Sequence, residues 1–195
     1  MRFGRVSQNF RPGDVRVIGG VMPGPCLGGL MQIAWVTPDI EKSLKQFDET
    51  YRIPEFYRMT VDFPAEVLGR SGKMQLHVAL ANVDNVQFEL IEPLGGLDGL
   101  FRDALPADGR HANVLHHVCV KVEGTLADWD NHVAALPAES PVVFVGDVGS
   151  DVRVLYTDDR DRLGVYVEHI WRSPAAEAAM ASVVPSYIGG RPVAF

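Results

Sequence analysis

Four side chains able to hold a metal or move a proton sit at matching places in two similar stretches of this chain. Gln32 lies near the start of the apolar run Leu30–Val36, and His117 near the start of Leu115–Val122. A module's length after each comes a strand-like run with a glutamate inside it: Glu89 in Gln87–Ile91 and Glu168 in Val165–Ile170. Glutamate is a poor strand former, and an unpaired carboxylate is costly to bury. Two carboxylates facing one another repel unless a cation or a proton lies between them. A divalent metal removes both penalties together. One amide oxygen, two carboxylates and one imidazole form a hard-to-borderline donor set. It suits Zn, Ni, Co, Mn or Mg, and suits Cu(I) or an iron–sulfur cluster poorly. Such a set leaves one or two positions for water or a reacting substrate.

Each of these residues also has an ordinary explanation. A strand glutamate is commonly solvated, and a strand histidine is commonly a hydrogen-bonded core residue. The argument for a site is the matched placement in two repeats. His116 competes with His117 for the imidazole position. His77, His111, His132 and His169 have no counterpart in the other repeat and read as structural or surface residues.

The elements that must position the four residues follow from local pattern. After the first strand, Thr37-Pro38-Asp39 reads as a helix start, with Thr37 as N-cap, Pro38 at the first helical position and acidic residues at the positive end of the dipole. The helix presents Ile40, Leu44, Phe47 and Tyr51 on one face and stops before Pro54. Strands are expected near 56–62, 74–81 and 85–92, with a turn at Asn82–Asn85. The connector 94–113 has room for a short helix between Leu97 and Leu105. In the second half, a strand at 114–122 precedes a helix capped by Thr125 with Asp128 three residues on. That helix carries Leu126, Trp129, Val133 and Leu136. Strands near 142–146, 151–156 and 164–170 follow, with a turn over 157–162 between the last two.

Both halves therefore read β-α-β-β-β, an internal repeat. The expected organisation is an arm over 1–29 with a short strand at Val15–Ile18, a first module over 30–93, the connector, a second module over 114–171 and a tail over 172–195.

Composition sets the limits. The chain has 195 residues, 47% of them hydrophobic and 22% charged, with a formal net charge of −7. It is an ordinary globular chain without the basic patch a nucleic-acid surface needs. No run approaches the ~20 apolar residues that span a membrane, and no apolar h-region follows Arg2 and Arg5. A cytoplasmic protein is expected. Cys26 and Cys119 are not at CxxC spacing, so neither a redox motif nor a thiolate zinc site is read, and Cys119 is expected as a buried thiol.

Four stretches resemble the vicinal oxygen chelate family, also called the glyoxalase/bleomycin-resistance/dioxygenase superfamily. They are Gln32–Asp39, Gln87–Pro93, Leu115–Val118 and Leu163–Glu168, and the resemblance spans about residues 30–171. It implies an α+β fold in which two βαβββ modules form a curved eight-stranded mixed sheet around a divalent ion. It also implies one ligand from the first and fourth strand of each module, which carries over to Gln32, Glu89, His117 and Glu168.

Within that family, extradiol dioxygenases use two histidines and a glutamate on Fe(II), and Gln32 stands where the first histidine would be. The set is similar to that of animal-type glyoxalase I. Methylmalonyl-CoA epimerases commonly carry histidine first, and no glutathione-binding residues are identified here. The resemblance implies a metal-dependent lyase or isomerase acting on a small molecule by proton transfer next to a carbonyl. Glu168 is the first choice of base and Glu89 the second, and Tyr166 is a candidate pocket residue. A metal-free binding or resistance protein on the same fold is the alternative reading, and a ring-cleaving dioxygenase a third. A homodimer is expected, because relatives pair and because the tail Val183–Ile188 is more apolar than a solvated end requires.

Overall fold

The computed structural model describes residues 27–193. The expected strand at Val15–Ile18, most of the N-terminal arm and Cys26 lie outside the described residues.

A short 3-10 turn leads into β1 (Leu30–Val36), α1 (Ile40–Tyr51), β2 (Tyr57–Val67), β3 (Arg70–Val83) and β4 (Val86–Gly96). A short helix α2 (Gly99–Arg102) crosses to β5 (Val114–Lys121), α3 (Leu126–Ala134), β6 (Val142–Asp147), β7 (Val152–Asp158), α4 (Arg160–Leu163) and β8 (Tyr166–Arg172). The chain ends with α5 (Pro174–Val183), β9 (Ser186–Ile188) and β10 (Arg191–Pro192). Each half has the order β-α-β-β-β. The first eight strands run β3-β2-β6-β7-β8-β5-β1-β4, and the β3–β4 pairing joins the two ends into a ring. β1 pairs in parallel with β4, and β5 with β8; the other contacts in the ring are antiparallel, so the sheet is mixed.

Strand alternation sorts the side chains into an inside and an outside. Along β3, Met74, Leu76, Val78 and Leu80 face the interior core, while Ala79 and Ala81 face outward. α1 packs Ile40, Leu44 and Phe47 over that outer face, beside Trp35, Phe88 and Leu90. α3 does the same in the second half, where Trp129 meets Val122, Leu155 and Trp171. The modules also join where β2 meets β6, with Ala65 paired to Gly146. A Cβ at Gly146 would meet side-chain atoms of Val154, Phe63 and Phe144 at 2.7–3.0 Å, so the seam requires glycine.

Several local expectations are corrected. Asp39, not Thr37, is the N-cap of α1 and accepts from the Lys42 N–H. Thr37 still belongs to the sheet: its N–H donates to the Ile91 carbonyl at 2.8 Å, and its hydroxyl lies 2.6 Å from Ser43 Oγ. The helix ends before Pro54, at Arg52 in the left-handed region with φ 59°. Tyr51, on the last turn, is 56% exposed rather than buried. Leu126, the first residue of α3, is also exposed, leaving Trp129 as that helix's buried anchor. Thr125 and Asp128 do form the expected reciprocal capping box. The turn between β3 and β4 is Asp84-Asn85, with Asp84 at φ 52°. The second-half turn over 157–162 contains the single turn α4.

The tail is built into the chain's own core. α5 starts at Ser173, whose hydroxyl caps the Ala176 N–H, and β9 pairs in parallel with the end of β3. Val184 and Tyr187 are buried, and the Tyr187 hydroxyl accepts from the Glu55 N–H and donates to the Glu55 carbonyl. These apolar residues are used within one chain and give no argument for a second copy.

Candidate metal centre

The register of four neighbouring strands brings the candidate residues together. In β1, Gln32 stands beside Gln87 of β4 on one side and Cys119 of β5 on the other. Ala34 stands between Glu89 and His117, and Cys119 stands beside Glu168 of β8. Ala34 is fully buried, and its single methyl leaves the space into which longer neighbours converge. One nitrogen is the focus. His117 Nε2 lies 3.1 Å from Glu168 Oε2, 3.2 Å from Glu89 Oε2 and 3.4 Å from the Tyr156 hydroxyl. Ligand atoms of Glu89, His117 and Glu168 all lie within 4.8 Å of one another. All three come from one chain.

The protons can be assigned from the partners. His116 Nε2 lies 3.1 Å from the Leu100 carbonyl, which only accepts, so that nitrogen carries a proton. Burial and the neighbouring His117 charge push the His116 pKa down to about 3, so the ring is neutral and its Nδ1 is bare. That Nδ1 lies 2.9 Å from His117 Nδ1, so His117 Nδ1 must donate. The other nitrogen of His117 is left aimed at two carboxylates. Burial alone would lower the His117 pKa, but the Glu168 hydrogen bond and the charges of Glu168 and Glu89 outweigh it and raise the value to about 9.

A single N–H serves one acceptor well. Although Glu89 Oε2 is at ion-pair distance from His117, it is buried with no hydrogen-bond partner. The distance shows proximity, and the missing hydrogen bond shows that the proton points elsewhere. The carboxylates consequently differ. Burial raises the Glu89 pKa, the Glu168 charge adds to this, and His117 offsets it only in part. For Glu168 burial is again the largest influence, but the His117 hydrogen bond and charge, with help from Cys119 and Arg172, hold it below the usual carboxylate range.

This donor set fits a divalent cation. An ion in place of the Nε2 proton would meet the lone pair of a neutral imidazole and both carboxylates, including the oxygen left without a partner. The His116–His117 contact already fixes the ring orientation and tautomer such a ligand needs. His116 cannot itself be the ligand, since both of its ring nitrogens are engaged elsewhere.

Gln32 is buried and lines the same cavity as the two glutamates. Its Nε2 donates to Gln87 Oε1 at 2.9 Å, Gln87 Nε2 donates to Asn82 Oδ1, and Asn82 Nδ2 donates to Ser186 Oγ. One N–H of each amide in this series is used in the direction of β9, and the Gln32 oxygen is not used as an acceptor in the series.

Gln32, Glu89 and Glu168 line a cavity of about 330 Å³, with His117 fully buried behind the two carboxylates; the cavity is walled mainly by apolar side chains of β2, β3 and β7 and by Ala176, Ala179 and Met180 of α5. Tyr156 and Arg172 also line it. Tyr166, expected there, is not among the lining residues; its ring lies against the Arg160 guanidinium, 4.6 Å from centroid to Cζ. Cys119 is the buried free thiol expected from sequence, on the same face of β5 as His117. The sequence reading missed Ala34, Tyr156 and Arg172; Arg172 lies on the same face of β8 as Glu168, and alternation along that strand would have found it. Tyr156 depends on the pairing of β7 with β8, which places it beside Glu168. His132 and His169, read as structural, pair with each other at 2.9 Å, and His169 contacts Thr157.

Residues 31–156 match the family model described as glyoxalase/bleomycin resistance protein/dioxygenase superfamily. No curated protein gives a significant sequence match. Among solved structures, the chain is similar to a methylmalonyl-CoA epimerase in complex with methylmalonyl-CoA and ammonium, at 17% identity and TM-score 0.47, covering 75% of this chain and 96% of that one. It is also similar to the methylmalonyl-CoA epimerase of Mycobacterium tuberculosis, at 15% identity and TM-score 0.45, covering 77% of this chain and 91% of that one. A Streptomyces coelicolor methylmalonyl-CoA epimerase variant in complex with 2-nitronate-propionyl-CoA matches at 18% identity and TM-score 0.46, over 75% and 96% of the respective chains.

Proposed function

The chain belongs to the glyoxalase/bleomycin resistance protein/dioxygenase superfamily, and from the site it carries we propose a divalent-metal-dependent isomerase or lyase that moves a proton next to a carbonyl. Glu89, His117, Glu168 and the Gln32 oxygen would hold the metal. When bound, the metal would supply Lewis-acid polarisation of a substrate oxygen and favour the charge that develops as the proton leaves.

The observation carrying this reading is Glu89 Oε2, buried without a hydrogen-bond partner beside His117, at the floor of an apolar cavity. The chain's own residues supply the rest. His116 orients His117. The apolar walls exclude water from the reacting centre, which strengthens every charge interaction inside. One carboxylate takes the proton and returns it. Glu168 was the first choice from sequence, but the asymmetry of the pair favours Glu89. Its Oε2 accepts no hydrogen bond, whereas Glu168 accepts from His117, so Glu89 is the carboxylate with an oxygen left to take a proton. The set contains one histidine, and His116 is engaged away from the site, so the two-histidine, one-carboxylate arrangement of Fe(II) oxygenases is disfavoured.

The experiment is exchange of an α-proton for solvent deuterium, followed by NMR over a panel of hemithioacetals and 2-substituted acyl thioesters with metal-loaded protein. Exchange by the parent that falls steeply in Glu89→Gln supports the reading. Metal uptake with no exchange across a broad panel would replace it with the binding-protein alternative.

A further inference from the structure

Arg172 ends the row of β8 side chains, Glu168, Ile170 and Arg172, that face the cavity. Its side chain is only 9% exposed. Among the described residues, its ion-pair partner is Glu177 of α5, at 3.7 Å. That separation is too long for a hydrogen bond, and Glu177 Oε2 has no hydrogen-bond partner either. The other oxygen of Glu177 is served by Lys121 at 3.3 Å. A guanidinium carries five N–H donors in a rigid fork, and burying it unbonded is expensive. No other cation lines this cavity among the described residues, whose walls are otherwise Met, Val, Leu, Ile, Phe and Ala, with Gln32, Glu89, Tyr156 and Glu168 as the polar lining.

We propose that Arg172 is the anchor for a substrate carboxylate, and that the ligand class is an apolar oxo acid whose carbonyl lies several bonds from the acid group. A carboxylate matches the planar fork of arginine and forms two parallel charge-assisted hydrogen bonds. The spacing sets the rest. Residues 168 and 172 are four apart on one strand, about 13 Å at ~3.3 Å per residue. Their long side chains, both lining the one cavity, shorten that span. The remaining gap is several bonds, filled by the apolar body of the ligand. The cavity is at the lower end of the ~300–1,000 Å³ range of small-molecule sites, which fits an acid of about a dozen heavy atoms.

This inference rests on the proposed metal site only for the position of the carbonyl. The test is calorimetric titration of 5-oxodecanoate and of its methyl ester into chelator-treated and Zn(II)-loaded protein, with Zn(II) titrated separately. The parent protein should bind the acid at least tenfold more tightly than the ester. Arg172→Gln should lose that preference while still taking up Zn(II), and Arg172→Lys should keep only part of it. Equal affinity of the parent for acid and ester overturns the anchor, with no variant needed. Retention of the preference in Arg172→Gln overturns it as well. Absence of Zn(II) binding together with an Arg172-dependent acid preference removes the metal reading and leaves the anchor standing.

Discussion

The Nδ1 atoms of His116 and His117 face each other at 2.9 Å, and the proton between them belongs to His117. The Leu100 carbonyl dictates this by holding the far N–H of His116. A backbone carbonyl in α2, within the linker between the two halves, thus sets the tautomer of the central side chain of the site. Outer partners of this kind are typically worth 10–100-fold in metal affinity. His116→Ala should weaken metal binding by that order while leaving His117 in place. Competition titration against a chromophoric chelator measures it, and unchanged affinity would mean that His116 is only core packing.

Protonation of His117 gives a pH signature. Without metal its pKa in the folded protein is raised to about 9, above the ordinary 6.5. A group raised in this way contributes stability that is fully present below pH 6.5 and is lost as pH rises through 9. Glu89, also raised, acts in the same direction at the acid end, while depressed Glu168 adds stability that is lost on acidification. Chelator-treated protein should therefore lose thermal stability between pH 6.5 and 9. Metal-loaded protein should not, because the metal takes the place of the proton. Parallel slopes with and without metal would contradict the assignment.

The amide series from Ser186 to Gln32 should behave as a unit. Gln87→Leu removes the acceptor of the Gln32 N–H and the donor to Asn82. A buried polar group left without its partner costs about 1–3 kcal/mol. Denaturant unfolding should show a loss of that size, and metal affinity should fall with it. A stability loss with no change in metal affinity would show that Gln32 does not contact the ion.

The C-terminal segment should be integral to stability. Tyr187 is 2% exposed and its hydroxyl binds both backbone groups of Glu55. By comparison with large aromatic truncations, Tyr187→Ala should cost about 3–5 kcal/mol. Chemical denaturation checks this, and a change under about 1 kcal/mol would mean that β9 detaches readily from β3.

The repeat, the two helices and the two strand glutamates leave local marks in the sequence, while Gln32 and His117 stand out only by their matched places in the two halves. Carboxylates interrupt apolar strands at Glu89 and Glu168, and Thr125 with Asp128 announces a helix start. Thr37 and Asp39 are both good caps by residue type, so local pattern alone does not choose Asp39. The choice depends on Thr37 still donating to Ile91 across the sheet. Ala34 left no mark because its contribution is the side chain it lacks. Tyr156 faces the cavity through the pairing of β7 with β8, which is not written in the residues themselves, whereas strand alternation from Glu168 reaches Arg172. The tail was read as apolar surface because no local pattern shows that β9 would pair with β3.

The two-carboxylate assignment separates by single-atom changes. Glu89→Gln and Glu168→Gln each keep an oxygen able to coordinate and remove a group able to take a proton. The variant lacking the base should lose ~10²–10⁴-fold in the exchange rate at saturating substrate. The other should be milder. Glu89→Gln is the expected severe variant, and equal rates in Glu89→Gln and the parent would return the role to Glu168.

The most direct measurement is calorimetric titration of chelator-treated protein with Zn(II) or Ni(II) near pH 7, in two buffers of different ionisation enthalpy. One ion should bind per chain, with about one proton released from His117 as it binds, and His117→Ala should lose tight binding. Absence of binding, or His117→Ala binding as tightly as the parent, would contradict a metal centre built on Glu89, His117 and Glu168.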